Sequence, residues 1–378
     1  MVQPLQSLAM EMSDIQAQGT LVLWAAFAVA FVFGALAQRT HFCTMGAISD
    51  VVNMGDWTRL RMWGMAAGMA MLGFYGMAAL GWIDPMQTIY SGSRVLWLSA
   101  LLGGALFGFG MVLASGCGSK TLVRIGAGNL KSLVVFFVMG LAAYATLSGI
   151  TAVLRNRSVD QVVLHLDTSG ALPLWLAGQW ATPGAALGLA GVVGLALIAW
   201  ALASRDFRTS LDNWLAGVGI GATVVALWWV TGVLAFVPEH PETLEAVFLT
   251  TDTGVMESLT FTAPMAYALE WLIFFSDASK VLTIGVVSVL GVVLGSLAYA
   301  LLSRSFHWEG FGSTQDTALH LVGAVCMGVG GVTAMGCTIG QGLSGLSTLS
   351  LGSLIAVAGI GLGAVAALRL QIWLIERA

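Results

Sequence analysis

The sequence predicts an all-α polytopic membrane protein with about nine membrane-spanning helices, short re-entrant helices and two repeats of inverted topology. Three observations predict this fold. Hydrophobic residues make up 58% of the 378 residues, whereas charged residues make up only 9%. Apolar runs of about 20 residues recur along the chain, and this is the length that a helix needs to cross a hydrocarbon core of about 30 Å. One block of sequence also occurs twice at a constant offset, which indicates an internal duplication.

Nine runs of the sequence carry almost no charge over the length of a membrane span. Helices are expected in all of them, because no run shows the two-residue alternation of a strand and irregular backbone facing lipid would leave polar groups unpaired. The expected spans lie near residues 20–37, 58–82, 95–115, 130–153, 183–203, 214–236, 280–303, 317–335 and 350–375.

The Lys and Arg residues are distributed unequally between the two sides that nine spans define. The side with the C-terminus holds Arg39, Arg59, Arg61, Lys120, Arg124, Lys131, Arg205, Arg208, Arg304, Arg369 and Arg377, and the other side holds Arg94, Arg155, Arg157 and Lys280. The positive-inside rule therefore predicts an external N-terminus and a cytoplasmic C-terminus. Two long polar loops, about 154–182 and 237–279, then lie outside.

The second outer loop is rich in acidic residues. It carries Glu239, Glu242, Glu245, Asp252 and Glu257. These residues resemble an acidic external cap, but charged runs usually face water, and we favour the interpretation of solvated connectors.

The duplicated block reads GGALFGFGMVLASGCGSKTL at 103–122 and GAVCMGVGGVTAMGCTIGQG at 323–342, an offset of 220 residues. HFCTMGA at 41–47 similarly matches TFTAPMA at 260–266. We expect one integral membrane domain over 1–378, with repeat 1 at about 20–153, a linking helix at about 183–203 and repeat 2 at about 214–375. The single linking helix would turn the second repeat upside down, and inverted repeats are typical of transporters.

The two Gly-Cys turns of the block are the best candidates for a binding site. A short helix that starts just after Cys117 or Cys337 would aim free N–H groups and the positive end of its dipole at an anion. The thiols themselves are soft, polarizable groups that suit sulfur-containing anions. The surrounding candidates for turn formation and substrate binding are Gly116, Gly118, Ser119, Gly336, Thr338 and Gln341.

Each cysteine also has a structural interpretation. A lone Cys in a membrane helix is usually a small packing residue, and Cys326 is interpreted in this way. Cys117 and Cys337 are repeated together with their glycines, which favours function. Cys43 is intermediate, because its repeat partner is Thr262. No metal site is expected, because no Cys-x-x-Cys pair is present and the histidines show no ligand spacing.

Lys120 and Arg124 follow Cys117 by three and seven residues, on one face of the expected short helix. They are candidates for electrostatic steering of an anion, or they simply reflect the excess of basic residues on the cytoplasmic side. The sequence has no Walker-type glycine loop, and we expect no cofactor and no nucleic-acid partner.

Three motifs resemble the YeeE/YedE membrane proteins, the sulfur transport family: RTHFCTMGAISD at 39–50, GFGMVLASGCGSKTLVRIGAGNLKSL at 108–133 and GVGGVTAMGCTIGQGLSGLS at 328–347. The resemblance implies an inverted-repeat protein of the bacterial inner membrane, surrounded by lipid, that takes up thiosulfate. It places the three motif cysteines at Cys43, Cys117 and Cys337. Some members of the family are tied to a cytoplasmic sulfur-carrier sulfurtransferase, and others are proposed to handle selenium compounds.

The leading hypothesis from the sequence is therefore a transporter, with thiosulfate passing three cysteines and the N-termini of re-entrant helices. Transport of another sulfur or selenium species is an open alternative. A second alternative is a membrane sulfurtransferase that passes sulfane sulfur through a Cys persulfide.

Overall fold

The computed structural model describes residues 3–180, 184–241, 243–277 and 279–377. Residue 183, the first of the predicted linking helix, and Glu242 of the acidic loop lie outside the described residues. In the described part of the chain, nearly all regular structure is helical.

The helices of the described residues range in length from 4 to 38 residues. Their bounds are α1 Gln3–Thr40, α2 Thr44–Met54, α3 Thr58–Ala79, α4 Trp97–Leu113, α5 Gly118–Gly126, α6 Leu130–Ser148, α7 Ile150–Arg157, α8 Leu172–Trp180, α9 Gly184–Leu202, α10 Arg205–Thr209, α11 Leu211–Trp214, α12 Ile220–Trp229, α13 Thr262–Ile273, α14 Ile284–Leu302, α15 Thr314–Thr333 and α16 Leu351–Arg377. Three π-helical segments, Leu215–Gly219, Val230–Leu234 and Gly340–Gly345, interrupt or replace α-helix.

Two small antiparallel ribbons occur between the helices. Strand β1 (Arg94–Val95) pairs with β2 (Leu164–His165), and β3 (Phe236–Val237) pairs with β4 (Val247–Phe248). Both ribbons involve the two long loops that the sequence places outside, and they tie those loops back to the helical body.

Helices form at all nine predicted positions. In the described ranges, seven helical segments are long and apolar enough to cross a membrane: Ser13–Met54, Trp97–Gly126, Leu130–Ser148, Leu211–Leu234, Ile284–Leu302, Thr314–Thr333 and Leu351–Leu374. The other two predicted spans fall in α3 and α9, and the apolar part of α9, Ala186–Leu202, is shorter. The prediction of an all-α polytopic membrane protein is confirmed.

Helices α4 and α15 run antiparallel and touch through glycines. A methyl group on Gly110 would lie 2.6 Å from the carbonyl oxygen of Gly323, and one on Gly323 would lie 2.6 Å from the carbonyl oxygen of Gly110. Gly103 and Gly330 approach each other in the same reciprocal way, at 2.8 and 2.7 Å. Small residues allow such close backbone approach, which replaces hydrophobic driving force inside a bilayer. Because 103 and 323, and 110 and 330, are each 220 apart, the two repeated helices use equivalent residues to contact each other.

The two halves also interleave. Gly108 of α4 packs against the backbone of Ile360 in α16, and Gly328 of α15 packs against the backbone of Met139 in α6. Each helix of the duplicated pair therefore contacts the following long helix of the other half. This arrangement places the two Gly-Cys turns, which end α4 and α15, in the interior of the protein.

Candidate functional site

Four short helices begin in the buried interior of the protein. Cys43, Cys117 and Phe261 are the N-cap residues of α2, α5 and α13, and the fourth short helix begins directly after Cys337. The short helices predicted after Cys117 and Cys337 are thus present. A helix N-terminus carries unpaired N–H groups and a partial positive charge, so these starts are suited to an anion.

The two Gly-Cys turns have the same backbone geometry. Ser115 and Met335 both adopt the left-handed conformation, with φ of 55° and 57°. In each turn the glycine N–H then donates a 2.8 Å hydrogen bond back to the preceding helix, from Gly116 to Met111 and from Gly336 to Gly331. The sequence repeat is therefore also a structural repeat at these turns, and each one directs a cysteine inward.

Cys117 is only 1% exposed and sits at the centre of a group of small polar side chains. Its sulfur lies 3.3 Å from the hydroxyl oxygen of Ser119. The side chains of Cys43 and Thr338 also interact with it. Residues from three short helices, α2, α5 and the one after Cys337, therefore meet at this thiol.

Cys337 is fully buried, and its sulfur caps its own helix. The Gly340 N–H donates to the Cys337 sulfur at 3.4 Å. The hydroxyl of Thr260, on the segment that precedes α13, lies 4.0 Å from the same sulfur. Backbone groups of Phe261 and Ile339 also interact with this thiol, so it lies among backbone donors and one hydroxyl.

Cys43 is 8% exposed, the most accessible of the three buried thiols. Besides Cys117, its neighbours include the positive charge of Lys120. The following helix, α2, is held to α3 by an ion pair of 3.2 Å between Asp50 and Arg59. The three thiols therefore differ in surroundings, with cationic groups concentrated near Cys43.

Among the residues that the structure describes, three buried hydroxyls at the starts of short helices have no hydrogen-bond partner. They belong to Thr44 of α2, Thr262 of α13 and Thr338 of the helix after Cys337. Leaving a buried hydroxyl unpaired costs roughly 1–3 kcal/mol, so each such group needs an explanation. A role as hydrogen-bond donors to a substrate would explain why these hydroxyls are unpaired. Of these three threonines, only Thr338 was predicted from the sequence to bind substrate, and Thr44 was missed because its sequence gives no sign of burial.

A cavity of about 200 Å³ reaches the turn of Cys337. Tyr90, Thr260, Met335 and Gly336 are among the residues that line it. The Tyr90 hydroxyl donates a 2.7 Å hydrogen bond to the carbonyl of Gly340. This tyrosine was not predicted from the sequence, because it comes from a connecting loop far from every motif.

The sequence matches the sulphur transport family over residues 39–366. The chain belongs to the sulphur transport family. It is 27% identical over 346 residues to the thiosulfate transporter TsuA of Spirochaeta thermophila, covering 89% of this chain and 94% of that protein. It is also 27% identical over 320 residues to the thiosulfate transporter TsuA of Escherichia coli, covering 82% of this chain and 84% of that protein.

Membership in this family confirms the resemblance seen in the sequence motifs. It also confirms the prediction that the chain is a transporter of sulfur compounds. In the part of the chain that the structure describes, no group of three His, Cys, Asp or Glu side chains is placed to hold a metal ion.

Gln341, which was predicted to bind substrate, forms two hydrogen bonds within the protein. Its amide nitrogen donates to the carbonyl of Ala334 at 2.7 Å, and its amide oxygen accepts from the hydroxyl of Ser353 at 2.5 Å. Gln341 thus holds the turn before Cys337 against α16 through its amide oxygen and one of the two N–H groups of its amide nitrogen.

The two predicted steering residues have different surroundings. Arg124 donates a 2.8 Å hydrogen bond to the carbonyl of Ser115, so it stabilises the turn before Cys117. Lys120 is half-buried and interacts electrostatically with both Cys43 and Cys117. Gly118 lies against the Met139 side chain, where a methyl group would be 3.2 Å from it, so it contributes close packing.

The acidic outer loop is not uniformly a solvated connector. Glu239 and Glu245 are exposed, as that interpretation requires. Glu257, however, is only 7% exposed and lines the cavity that leads to Cys337. The interpretation was wrong for this residue because a charge pattern cannot show that the following segment is buried.

Proposed function

We propose that this protein takes up thiosulfate across the bacterial inner membrane, passing it from Cys337 to Cys117 and then to Cys43. One observation carries the proposal: three buried thiols lie at the starts of short helices, and among the described residues unpaired buried hydroxyls lie at the starts of two of these helices and of α13. The relatives named as thiosulfate transporters support the same substrate.

The chemistry of thiosulfate suits this lining. Its terminal sulfur is soft and negatively charged, and it would accept weak S–H contacts from the cysteines. Its oxygens would accept hydrogen bonds from helix N–H groups and from the hydroxyls of Thr44, Thr262 and Thr338. Several moderate sites in sequence favour movement over trapping, because no single site holds the ion tightly.

We further propose that the four short helices are re-entrant and that the two repeats have inverted topology. The antiparallel, reciprocal packing of α4 and α15 supports this arrangement, because a two-fold axis between them would relate the halves. With Lys and Arg concentrated on the side of the C-terminus, the N-terminus would lie outside and the C-terminus in the cytoplasm.

Growth on thiosulfate as sole sulfur source tests the function, in a host that lacks its own uptake. Cys117→Ala is expected to abolish growth that the native chain supports. The matched control is Cys326→Ala, which removes a thiol that packs against Gly110 outside the proposed pathway and should leave growth intact. Equal growth of the two variants would contradict the proposed pathway along the cysteines.

The other candidates predict different results. If the native chain gives no growth on thiosulfate but transports a selenium or persulfide compound, thiosulfate is not the substrate. The proposed pathway along the three cysteines would then still hold for the other compound. If the labelled terminal sulfur of thiosulfate enters while the sulfur that carries the oxygens stays outside as sulfite, the protein is a sulfurtransferase. Mass spectrometry would then find a persulfide on Cys117 or Cys43, and a cytoplasmic sulfur-carrier sulfurtransferase would be its partner.

A further inference from the structure

Two buried carboxyl groups line the cavity that reaches Cys337, and the proposed passage of thiosulfate does not use them. Asp252 and Glu257 both border this space of about 200 Å³. Thr260 and Gly336, which are neighbours of the Cys337 thiol, line the same cavity. An anion in this cavity would therefore face two acids before it meets Cys337.

Glu257 has neutral hydrogen-bond partners only. One carboxyl oxygen accepts from the Asp252 backbone N–H at 3.0 Å, and the other accepts from the Thr253 hydroxyl at 3.1 Å. Among the ion pairs of the described residues, none involves Glu257. Burial, reinforced by the nearby charge of Asp252, raises the pKa of Glu257 to about 8.

Asp252 sits at the N-terminus of α14. Its carboxylate interacts with the Thr283 hydroxyl and the backbone of Gly285, both of which favour the charged form. Burial outweighs them and raises the pKa of Asp252 to about 6. Near pH 7 the two groups therefore hold one proton between them, mostly on Glu257.

Other charged and titratable groups face this pair from the surrounding elements. Arg155 of α7 borders the cavity, but it is paired with Asp160 at 2.8 Å. Asp252 also borders a second cavity of about 170 Å³ that contains Glu270 and Lys280, paired at 2.5 Å. The remaining groups are neutral near pH 7: Tyr90 from the connecting loop, Tyr267 of α13 and the Cys337 thiol. No cation of these elements is free to neutralise Glu257.

Glu257 is also held at a fixed place relative to Cys337. The next residue, Ser258, donates a 2.9 Å hydrogen bond to the carbonyl of Val224, and the carbonyl of Leu259 accepts a 2.7 Å bond from Ser344. Thr260, the neighbour of the Cys337 sulfur, follows three residues after Glu257, which limits their separation to roughly 11 Å even in extended chain. Charge on Glu257 is thus felt where the anion would enter.

We propose that Asp252 and Glu257 form a proton-binding site, and that an anion passes from this cavity to Cys337 only when Glu257 is protonated. The proposal rests on the proposed function, because it assumes that the transported anion takes this route. The physical reason is repulsion: in a cavity of low dielectric, a carboxylate strongly disfavours a nearby dianion, whereas a neutral carboxyl group can donate a hydrogen bond to it.

The sign of the pH dependence follows from the protonated form being the active one. Glu257 is neutral below its pKa of about 8 and becomes charged as the external pH rises through that value. Its neutral fraction falls about tenfold from pH 7 to pH 9, and uptake is expected to fall by the same factor.

Uptake of ³⁵S-labelled thiosulfate into proteoliposomes, at external pH 7 to 9, tests the proposal. Native protein is expected to lose about tenfold in initial rate over this range. Glu257→Gln, which stays neutral, should change less than twofold. The matched control is Glu245→Gln, an exposed residue of the same loop, which should keep the native slope.

A flat native profile, or a native slope retained in Glu257→Gln, would overturn the proton site. No thiosulfate uptake at any pH would instead overturn the proposed function. An infrared titration then still decides the proton site, because the C=O stretch of a protonated carboxyl group should disappear near pH 8 in the native protein. This band should be missing at pH 7 from Glu257→Gln, and its persistence there would count against the assignment.

Discussion

The backbone N–H of Gly340 donates a hydrogen bond to the sulfur of Cys337, at 3.4 Å. The donor lies three residues after the cysteine, so the thiol occupies the position of a helix-capping side chain. Cys337 therefore has a structural task as well as a proposed chemical one, and substitutions can separate the two.

Cys337→Ser is expected to keep the cap and lose transport. Serine is a strong N-cap residue, so the free energy of unfolding should stay close to native, whereas Cys337→Ala should lose about 1 kcal/mol. Both variants should fail to take up thiosulfate, because neither offers a soft S–H donor. Thermal unfolding in detergent and uptake of labelled thiosulfate measure the two effects. Native-like uptake by the serine variant would show that sulfur is not required.

Thr338→Val is expected to weaken transport without weakening the fold. The Thr338 hydroxyl is buried and lies beside the Cys117 sulfur without a hydrogen bond of normal geometry, so its removal should leave the free energy of unfolding unchanged or raise it by about 1 kcal/mol. If the hydroxyl serves the anion, losing a bond to a charged group should raise KM about tenfold or more.

The matched control for that variant is Thr146→Val. The Thr146 hydroxyl is also buried, but it donates a 2.7 Å hydrogen bond to the carbonyl of Ala142 in its own helix. This change should leave KM unaltered. An unchanged KM in both variants would remove Thr338 from the binding site.

Lys120→Gln is expected to raise KM for thiosulfate, and the effect should shrink as salt is added. Lys120 contributes positive charge near Cys43 and Cys117, and screening weakens the attraction of a charged ligand. Arg124→Gln should behave differently, because it removes the 2.8 Å hydrogen bond to Ser115 and loosens the turn. KM at low and high ionic strength, with unfolding measurements, distinguishes the two residues. A salt-independent loss in Lys120→Gln would contradict steering.

Gly363→Ala and Gly361→Ala test the close packing of α16 on α4. A methyl group on Gly363 would overlap the carbonyl oxygen of Ala105, whereas one on Gly361 meets no atom within 4 Å. Gly363→Ala should lower the free energy of unfolding by about 1–3 kcal/mol. Gly361→Ala should be neutral or stabilising by up to about 1 kcal/mol, because alanine is the better helix former. Equal stability of the two variants would contradict the packing described.

The sequence alone predicted much of the site. Cys117 and Cys337 were found because duplication repeats them with their glycines, and the short helices after them were expected from the same turns. The structural bonds of Gln341 and Arg124 were not predicted from the sequence. Both side chains hold the turns: Gln341 through hydrogen bonds with Ala334 and Ser353, and Arg124 through its bond to Ser115. The sequence does not show which partner a polar side chain will bind.

What the sequence determined by itself is what local pattern and composition control: a membrane protein of long helices, a duplication, and cysteines at two equivalent turns. These features can be predicted from sequence because they depend on the length of apolar runs and on patterns among residues that are close together in the chain. Only the tertiary structure decided which described hydroxyls lack partners, that α4 meets α15 through reciprocal glycines, and that Glu257 is buried and lines the cavity that reaches the turn of Cys337. Those properties depend on contacts between segments far apart in sequence, because burial and hydrogen-bond satisfaction are set by the neighbours that folding brings together.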